Sequence, residues 1–351
     1  MRILMVRLSA LGDLVHAIPV VAALRRGFPN AEIDWLFDDR YKELVDLVSV
    51  VDNRFTLARS GFAAWRSVWR VGRMLRRRRY DIVIDVQGLL KSAVAARLCG
   101  ARRIIGFDTD GLREPAARWL YNESVSVGGA IHVVKKNLAL VRPLVGECNK
   151  WEFPISKRPS EALNRTWTEL GPTAGADFAL LQPGTAWPTK CWSPERYAVL
   201  AKRLWRDLRL RSVVLWGPGE ERIARKLCED SEGASVLTPS TTISDMVAHM
   251  RAAAVVVAGD TGPLHVAVAV GTPVVGIYGP SDPERNGPWS PGDQVISPSV
   301  PCRCRVYRKE RGSTAVIVRR CFQDTQCVDE IEVDDVFQAV ERRLNSKVTH
   351  D

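Results

Sequence analysis

The sequence predicts a two-domain α/β protein in which two nucleotide-fold domains, each a parallel doubly wound sheet, face each other across a cleft. Three observations predict this. Two glycine-containing turns, Ser9-Ala-Leu-Gly-Asp13 and Gly259-Asp-Thr-Gly-Pro-Leu-His265, each follow a β-branched run (Arg2 to Leu8 and Ala254 to Ala258) and precede a helical pattern. A turn between a buried strand and a helix N-terminus is where α/β proteins bind ligands. Strand and helix patterns alternate with short links through both halves. Finally, 351 residues exceed one ordinary core, and the stretch from Arg142 to Thr173 carries Pro143, Pro154, Pro159 and Pro172. Residues 1–160 are assigned to a first domain, 174–330 to a second, and 331–351 to a C-terminal helix able to cross back to the first.

In the first half, the apolar run 2–8 reads as a strand and Asp13 to Phe28 as a helix ended by Pro29-Asn30. Ala31 to Phe37 and Asn53 to Leu57 read as further strands, with Tyr41 to Leu47 a short helix between them. An arginine-rich helix follows. Tyr80 to Asp85 is a buried strand, Leu90 to Leu98 a helix, and Arg103 to Phe107 a strand. In the second half, strands are expected at Phe178 to Gln182, Ser212 to Trp216, Ala234 to Leu237, Ala254 to Ala258 and Pro273 to Tyr278. Val333 to Asn345 reads as the last helix.

Hydrophobic and charged fractions of 46% and 26% are those of a soluble globular protein. No run of about 18 apolar residues predicts a membrane span. Asp13 interrupts the N-terminal apolar stretch, so a signal peptide is not expected and a cytoplasmic setting is. The net charge of +10 is concentrated: Arg66, Arg70, Arg73 and Arg76 to Arg79 place seven arginines within 14 residues, interleaved with Trp65 and Trp69. On a helix, Trp65, Trp69, Gly72 and Leu75 share a face, making a basic amphipathic element. Such a segment is either a solvated face packed by its tryptophans or a contact for a polyanion: a phosphorylated lipid, a membrane surface or nucleic acid. Of eight cysteines, Cys302, Cys304, Cys321 and Cys327 lie close together. Their C-x-C and C-x5-C spacing departs from the usual zinc pairs, so reduced thiols are expected and a metal is the lesser alternative.

Asp13 is either a helix N-cap or a general base at the carboxyl end of the first strand. His16, one turn on, is either a cleft residue or a packed one. Thr261 and Gly262 offer backbone N–H groups at a helix N-terminus, and Gly262 allows a diphosphate close approach. Asp260 reads as a sugar-hydroxyl partner or a cap. Lys190, in Gly184-Thr-Ala-Trp-Pro-Thr-Lys190, follows another strand and can place an ammonium on the diphosphate. No G-x-G-x-x-G follows the first strand, and neither the P-loop nor the G-x-S-x-G pattern is present, which argues against hydride transfer, Walker-type hydrolysis and serine-hydrolase chemistry.

These residues resemble a known family. Met1 to His16 and Asp85-Val-Gln-Gly-Leu-Leu-Lys-Ser92 are similar to the ADP-heptose:lipopolysaccharide heptosyltransferases of glycosyltransferase family 9. Arg113-Glu-Pro115 with Trp119-Leu-Tyr-Asn122 is most like the heptosyltransferase I branch. Lys190-Cys-Trp192, Trp216-Gly217 with Glu220-Glu221, Gly259 to His265, and Tyr278 to Pro283 fit the same family. The resemblance implies a GT-B fold of two Rossmann-like domains, the first binding acceptor and the second the ADP-sugar, and an inverting displacement at the heptose anomeric carbon. It implies Asp13 as general base taking the proton of the Kdo hydroxyl, and Lys190 on the diphosphate. It further implies donor contacts from Thr185, Ala186, Glu220 (or Glu221), Thr241, Asp260, Thr261, Gly262 and His265. Arg66, Lys91 and Arg113 are the candidates for acceptor carboxylates and phosphates. Ser67 departs from the branch, which tends to carry a basic residue there, and the cysteine-bearing tail looks more like other family members.

The expected reaction is therefore heptosyl transfer from ADP-heptose to Kdo-lipid A, with no cofactor and no essential divalent metal. The enzyme would touch the cytoplasmic face of the inner membrane peripherally. The alternatives are another family 9 transfer and, from a different class, a basic nucleic-acid-binding module. The paired turns and Lys190 argue against the latter, so no nucleic-acid partner is expected.

Overall fold

The computed structural model describes residues 1–57, 61–129, 132–171, 177–300, 321 and 326–346, with backbone alone for 61–65. The chain divides into two compact units, Met1–Ser156 and Lys157–Asp351, the division falling inside the proline-bearing connection.

The first unit is built on β1 (Arg2–Val6), β2 (Glu32–Asp38), β3 (Asn53–Leu57), β4 (Ile82–Asp85), β5 (Arg103–Phe107) and β6 (Glu123–Val125). They form one sheet in the order β3-β2-β1-β4-β5-β6, parallel throughout. Ile3, Leu4, Met5 and Val6 are all fully buried, as a central strand covered by helices on both faces must be. The second unit repeats the plan with β7 (Ala179–Gln182), β8 (Ser212–Val214), β9 (Ser235–Leu237), β10 (Val255–Gly259), β11 (Val274–Ile277) and β12 (Gln294–Ile296). Its order, β12-β11-β10-β7-β8-β9, is the same winding read from the other edge. In each sheet the order reverses between the first and fourth strands, β1 and β4 or β7 and β10, and the crevice at such a reversal is the ligand position of open α/β sheets.

Four expectations are corrected. The helix read from Asp13 to Phe28 is two, Leu11–Val15 and Ile18–Gly27; Pro19 has no N–H to bond the preceding turn and its ring crowds the carbonyl there. The edge strands β6 and β12 were not expected, because Glu123-Ser-Val and Gln294-Val-Ile are short and only half-buried. The final helix Val333–Asn345, expected to be able to cross to the first domain, instead joins the second unit's core through Val336, Phe337, Ala339 and Val340. Arg343 Nε fastens it to the buried carboxylate of Asp293 at 2.9 Å. In the arginine-rich helix Gly61–Arg76, Val68, Val71 and Leu75 face inward, while Trp69 is 56% exposed rather than packed. Gly72 is close-packed, since a Cβ there would lie 2.6 Å from Cβ of Leu98.

Candidate functional site

Two clusters of charged residues sit at the two order reversals, one per unit. In the first, Asp13 lies in the short helix after β1. It is not the N-cap: Ala10 occupies that position, and the Asp13 carboxylate reaches back to accept its N–H at 3.0 Å. The other carboxylate oxygen meets Nη2 of Arg7 at 2.8 Å, the Arg7 side chain being 10% exposed and that of Asp13 42%. Arg7 Nη1 donates to the carbonyl of Val86, just past β4, at 2.7 Å. Gln87 Oε1 accepts from the N–H groups of Leu8 and Ser9 at 2.5 and 3.3 Å. The loops after β1 and β4 are thus tied together around Asp13.

Behind them Asp85 is fully buried. It accepts from the N–H groups of Gln87 and Gly88 and from the hydroxyls of Ser92 and Tyr121 at 2.7 to 3.2 Å. Burial pushes its carboxyl pKa up against those donors. Gly88 has φ of 72°, a conformation glycine adopts without strain. Asp85 therefore shapes the loop that leads into Lys91.

Lys91 is half-buried; burial foremost, and the Arg40 guanidinium, push its pKa down against the pull of Asp38. Arg66 and Arg113 are exposed, and Ser67 is buried. His16 is a packed residue, 2% exposed, with its ring edge-on to His132 at 6.2 Å and its carbonyl accepting from Asn137 at 3.0 Å.

In the second unit, Lys190 closes a short 3₁₀ turn after β7. Its ammonium lies 2.5 Å from Oδ2 of Asp260, which follows β10, and both side chains are nearly buried. His265 Nε2 stands 3.4 Å from Oδ1 of Asp260, and Asn286 Nδ2 is 3.3 and 3.4 Å from its two oxygens. Burial alone would raise the Asp260 pKa, but the His265 hydrogen bond and the Lys190 charge outweigh it and hold the carboxyl well below the usual carboxylate range. Of the two sequence readings of Asp260, the helix cap is corrected here. The cap of helix Gly262–Ala269 is Thr261, whose Oγ1 accepts from the N–H of Leu264, and the Asp260 carboxylate is engaged by Lys190.

Glu220 and Glu221 separate cleanly. Glu221 pairs with Arg225 at 2.6 Å on an exposed helix face. Glu220 turns inward, accepting from the N–H of Gly217 at 2.8 Å and from Gln182 Nε2 at 3.1 Å. A Cβ at Gly184 would lie 2.0 Å from the Glu220 carboxyl carbon, so only glycine lets this carboxylate rest over the end of β7. Thr185 donates to the carbonyl of Trp187 at 2.6 Å and touches Cys191 Sγ at 3.0 Å. Ala186 is exposed, and Thr241 is half-buried beside the helix cap Thr242.

Sequence reasoning missed Arg7, Gln182 and Asn286. Arg7 carried a signal, a charged residue inside the apolar run 2–8. Asn286 carried none, since its approach to Asp260 depends on a turn 26 residues away. Of the tail cysteines, Cys302 and Cys304 lie outside the described residues. Among the described residues no cluster of His, Cys, Asp or Glu is arranged to hold a metal, and no helix is long and apolar enough to cross a membrane.

Comparison with known proteins shows the family. Residues 68–313 match the family model described as glycosyltransferase family 9 (heptosyltransferase). The chain is 31% identical to lipopolysaccharide heptosyltransferase 1 of Pseudomonas aeruginosa over 86% of its length and 85% of the relative's. It is 27% identical to the protein of the same name from Escherichia coli K12, over 84% and 93%. Among solved structures, E. coli heptosyltransferase WaaC with ADP superposes with a TM-score of 0.77 at 24% identity, covering 98% of this chain and all of that one. E. coli ADP-heptose lps heptosyltransferase II also gives 0.77, at 19% identity over 99% and 100%. The fold is GT-B, and the chain belongs to glycosyltransferase family 9, the heptosyltransferases.

Proposed function

We propose that the protein is an inverting glycosyltransferase that moves heptose from ADP-L-glycero-D-manno-heptose to a Kdo hydroxyl of lipid A in lipopolysaccharide inner-core synthesis. The observation that carries this reading is the matched placement of two charged groups. A carboxylate, Asp13, follows the first strand of one sheet and an ammonium, Lys190, the first strand of the other, each at the strand-order reversal. Asp13 takes the proton of the acceptor hydroxyl. The freed oxygen attacks the anomeric carbon from the face opposite ADP, and the bond from that carbon to the β-phosphate oxygen breaks with inversion. Lys190 and the N–H groups at the start of helix Gly262–Ala269 neutralise the departing diphosphate. Asp260, with His265, holds the ammonium in place until the donor arrives. Glu220, Thr185, Ala186 and Thr241 complete the donor side, and Arg66, Lys91 and Arg113 take the acceptor's carboxylates and phosphates.

Two expected results bear on this reading. Because protein cations neutralise the leaving group, turnover is expected to be unchanged by excess chelator; complete metal dependence would contradict the role given to Lys190. The exposed face bearing Arg66, Trp69, Arg70 and Arg73 is proposed to rest on the anionic cytoplasmic surface of the inner membrane. Sedimentation with phosphatidylglycerol vesicles lacking acceptor is expected to carry the protein down. Reversing Arg70 and Arg73 to glutamate should weaken this at least about ten-fold; equal binding to neutral vesicles would contradict it. The transfer itself is tested by acceptor-dependent ADP release.

A further inference from the structure

We propose that Arg7 is the positioning residue of the transfer step, holding the Asp13 carboxylate in the orientation from which it takes the acceptor proton. The inference rests on the reading of Asp13 as base and adds a residue to it. Arg7 follows β1 directly, and β2 holds its backbone at both polar groups: its N–H donates to the carbonyl of Leu36 at 3.1 Å, and its carbonyl accepts from Trp35 Nε1 at 3.3 Å. Its side chain forks. Nη1 is fixed on the Val86 carbonyl at 2.7 Å and Nη2 on Asp13 Oδ1 at 2.8 Å. An arginine side chain that is only 10% exposed is retained where its charge is matched, and Asp13 is the carboxylate it meets. Oδ1 on Arg7 and Oδ2 on the N–H of Ala10 at 3.0 Å orient the carboxylate plane.

The asymmetry of exposure separates this pair from an ordinary ion pair. The arginine is buried and anchored to the β4 end, while the aspartate side chain remains 42% exposed. A guanidinium fork bridging the strands on both sides of the order reversal turns the rigidity of the sheet into orientation of one open carboxylate. Displacing a reacting group by about 1 Å costs on the order of 10²-fold in rate.

The test is a double-mutant cycle of Arg7→Met, Asp13→Asn and both together. Each is assayed by ADP release from ADP-heptose with Kdo-lipid A, with melting curves and ADP binding measured in parallel. Arg7→Met is expected to lower kcat about 10²-fold, with the KM of either substrate changed less than about three-fold. In the Asp13→Asn background the same substitution is expected to change turnover less than about three-fold, because the group it orients is gone. Arg7→Lys should keep kcat within about ten-fold of the parent, and its loss too should vanish in the Asp13→Asn background. This second variant decides the matter if Arg7→Met does not fold. Wild-type kcat in Arg7→Met, or the same fold loss in both backgrounds, would overturn the proposal. Wild-type turnover in Asp13→Asn has a separate signature: it removes the base reading, and the role of Arg7 with it.

Discussion

Asp13→Asn is expected to bind ADP-heptose within about two-fold of the parent and to turn over at least about 10³-fold more slowly. The residue belongs to the first unit, whereas the groups proposed to hold the donor, from Thr185 to His265, all lie in the second. Removing the carboxylate leaves those donor contacts untouched. The volume is nearly unchanged and the amide oxygen still accepts from the N–H of Ala10, but the NH2 then faces the buried Arg7 guanidinium, so a lower Tm is expected alongside retained donor binding. What is lost is the acceptor of a proton, an effect worth on the order of 10²–10⁴ in rate for a positioned general base. Losing the charge opposite the buried Arg7 adds to it. Calorimetric titration with ADP-heptose, set beside single-turnover ADP release, separates binding from chemistry. Equal turnover in the variant would remove Asp13 from the mechanism.

Lys190→Met is expected to fail in two ways that can be told apart. A charge-assisted contact to a diphosphate is worth about 1.5–3 kcal/mol, so donor affinity should fall roughly 10- to 100-fold. Loss of leaving-group stabilisation should then lower kcat by a further factor of order 10². The variant also leaves the Asp260 carboxylate, 5% exposed, without its cation, and breaking a buried pair from one side costs about 3–5 kcal/mol. The second unit's Tm should therefore fall by about 6–20 °C. Adding Asp260→Asn to Lys190→Met removes the orphaned charge. Most of the Tm is expected to return, while donor affinity and kcat stay low. Recovery of donor binding in the double variant would mean that Lys190 matters for stability alone.

Much of this was legible in the sequence, and the reasons differ by element. Strands β3 and β5, helix Leu90–Leu98 and helix Val333–Asn345 are found at the residues expected: β5 and the last helix carry a clear apolar pattern, while β3 and helix Leu90–Leu98, with little pattern of their own, follow from the alternation of strands and helices around them. Strands β6 and β12 escaped, being three-residue edges with little to bury. Trp69 was misplaced because apolarity counted for more than phase. Val68, Val71 and Leu75 define the buried stripe, and Trp69 lies off it among arginines.

At the sites, glycine turns after β-branched strands located both loops, since backbone approach and chain reversal leave a local imprint. Partner choice leaves none. That Asp260 engages Lys190 across 70 residues, and that Glu220 rather than Glu221 lies against Gly184, follow from which strands are neighbours in the sheet. Arg7 is the intermediate case. A charge inside an apolar run announces that it has a partner but not which one.

The most direct test of the central claim is ADP release by the purified protein supplied with ADP-heptose, with and without heptose-free Kdo-lipid A. The account predicts release that depends on the acceptor and a heptosylated lipid product. Tight donor binding with no release on this acceptor would contradict the acceptor assignment and point to a longer core. Absence of ADP-heptose binding would contradict the donor assignment and, with it, the proposed reaction.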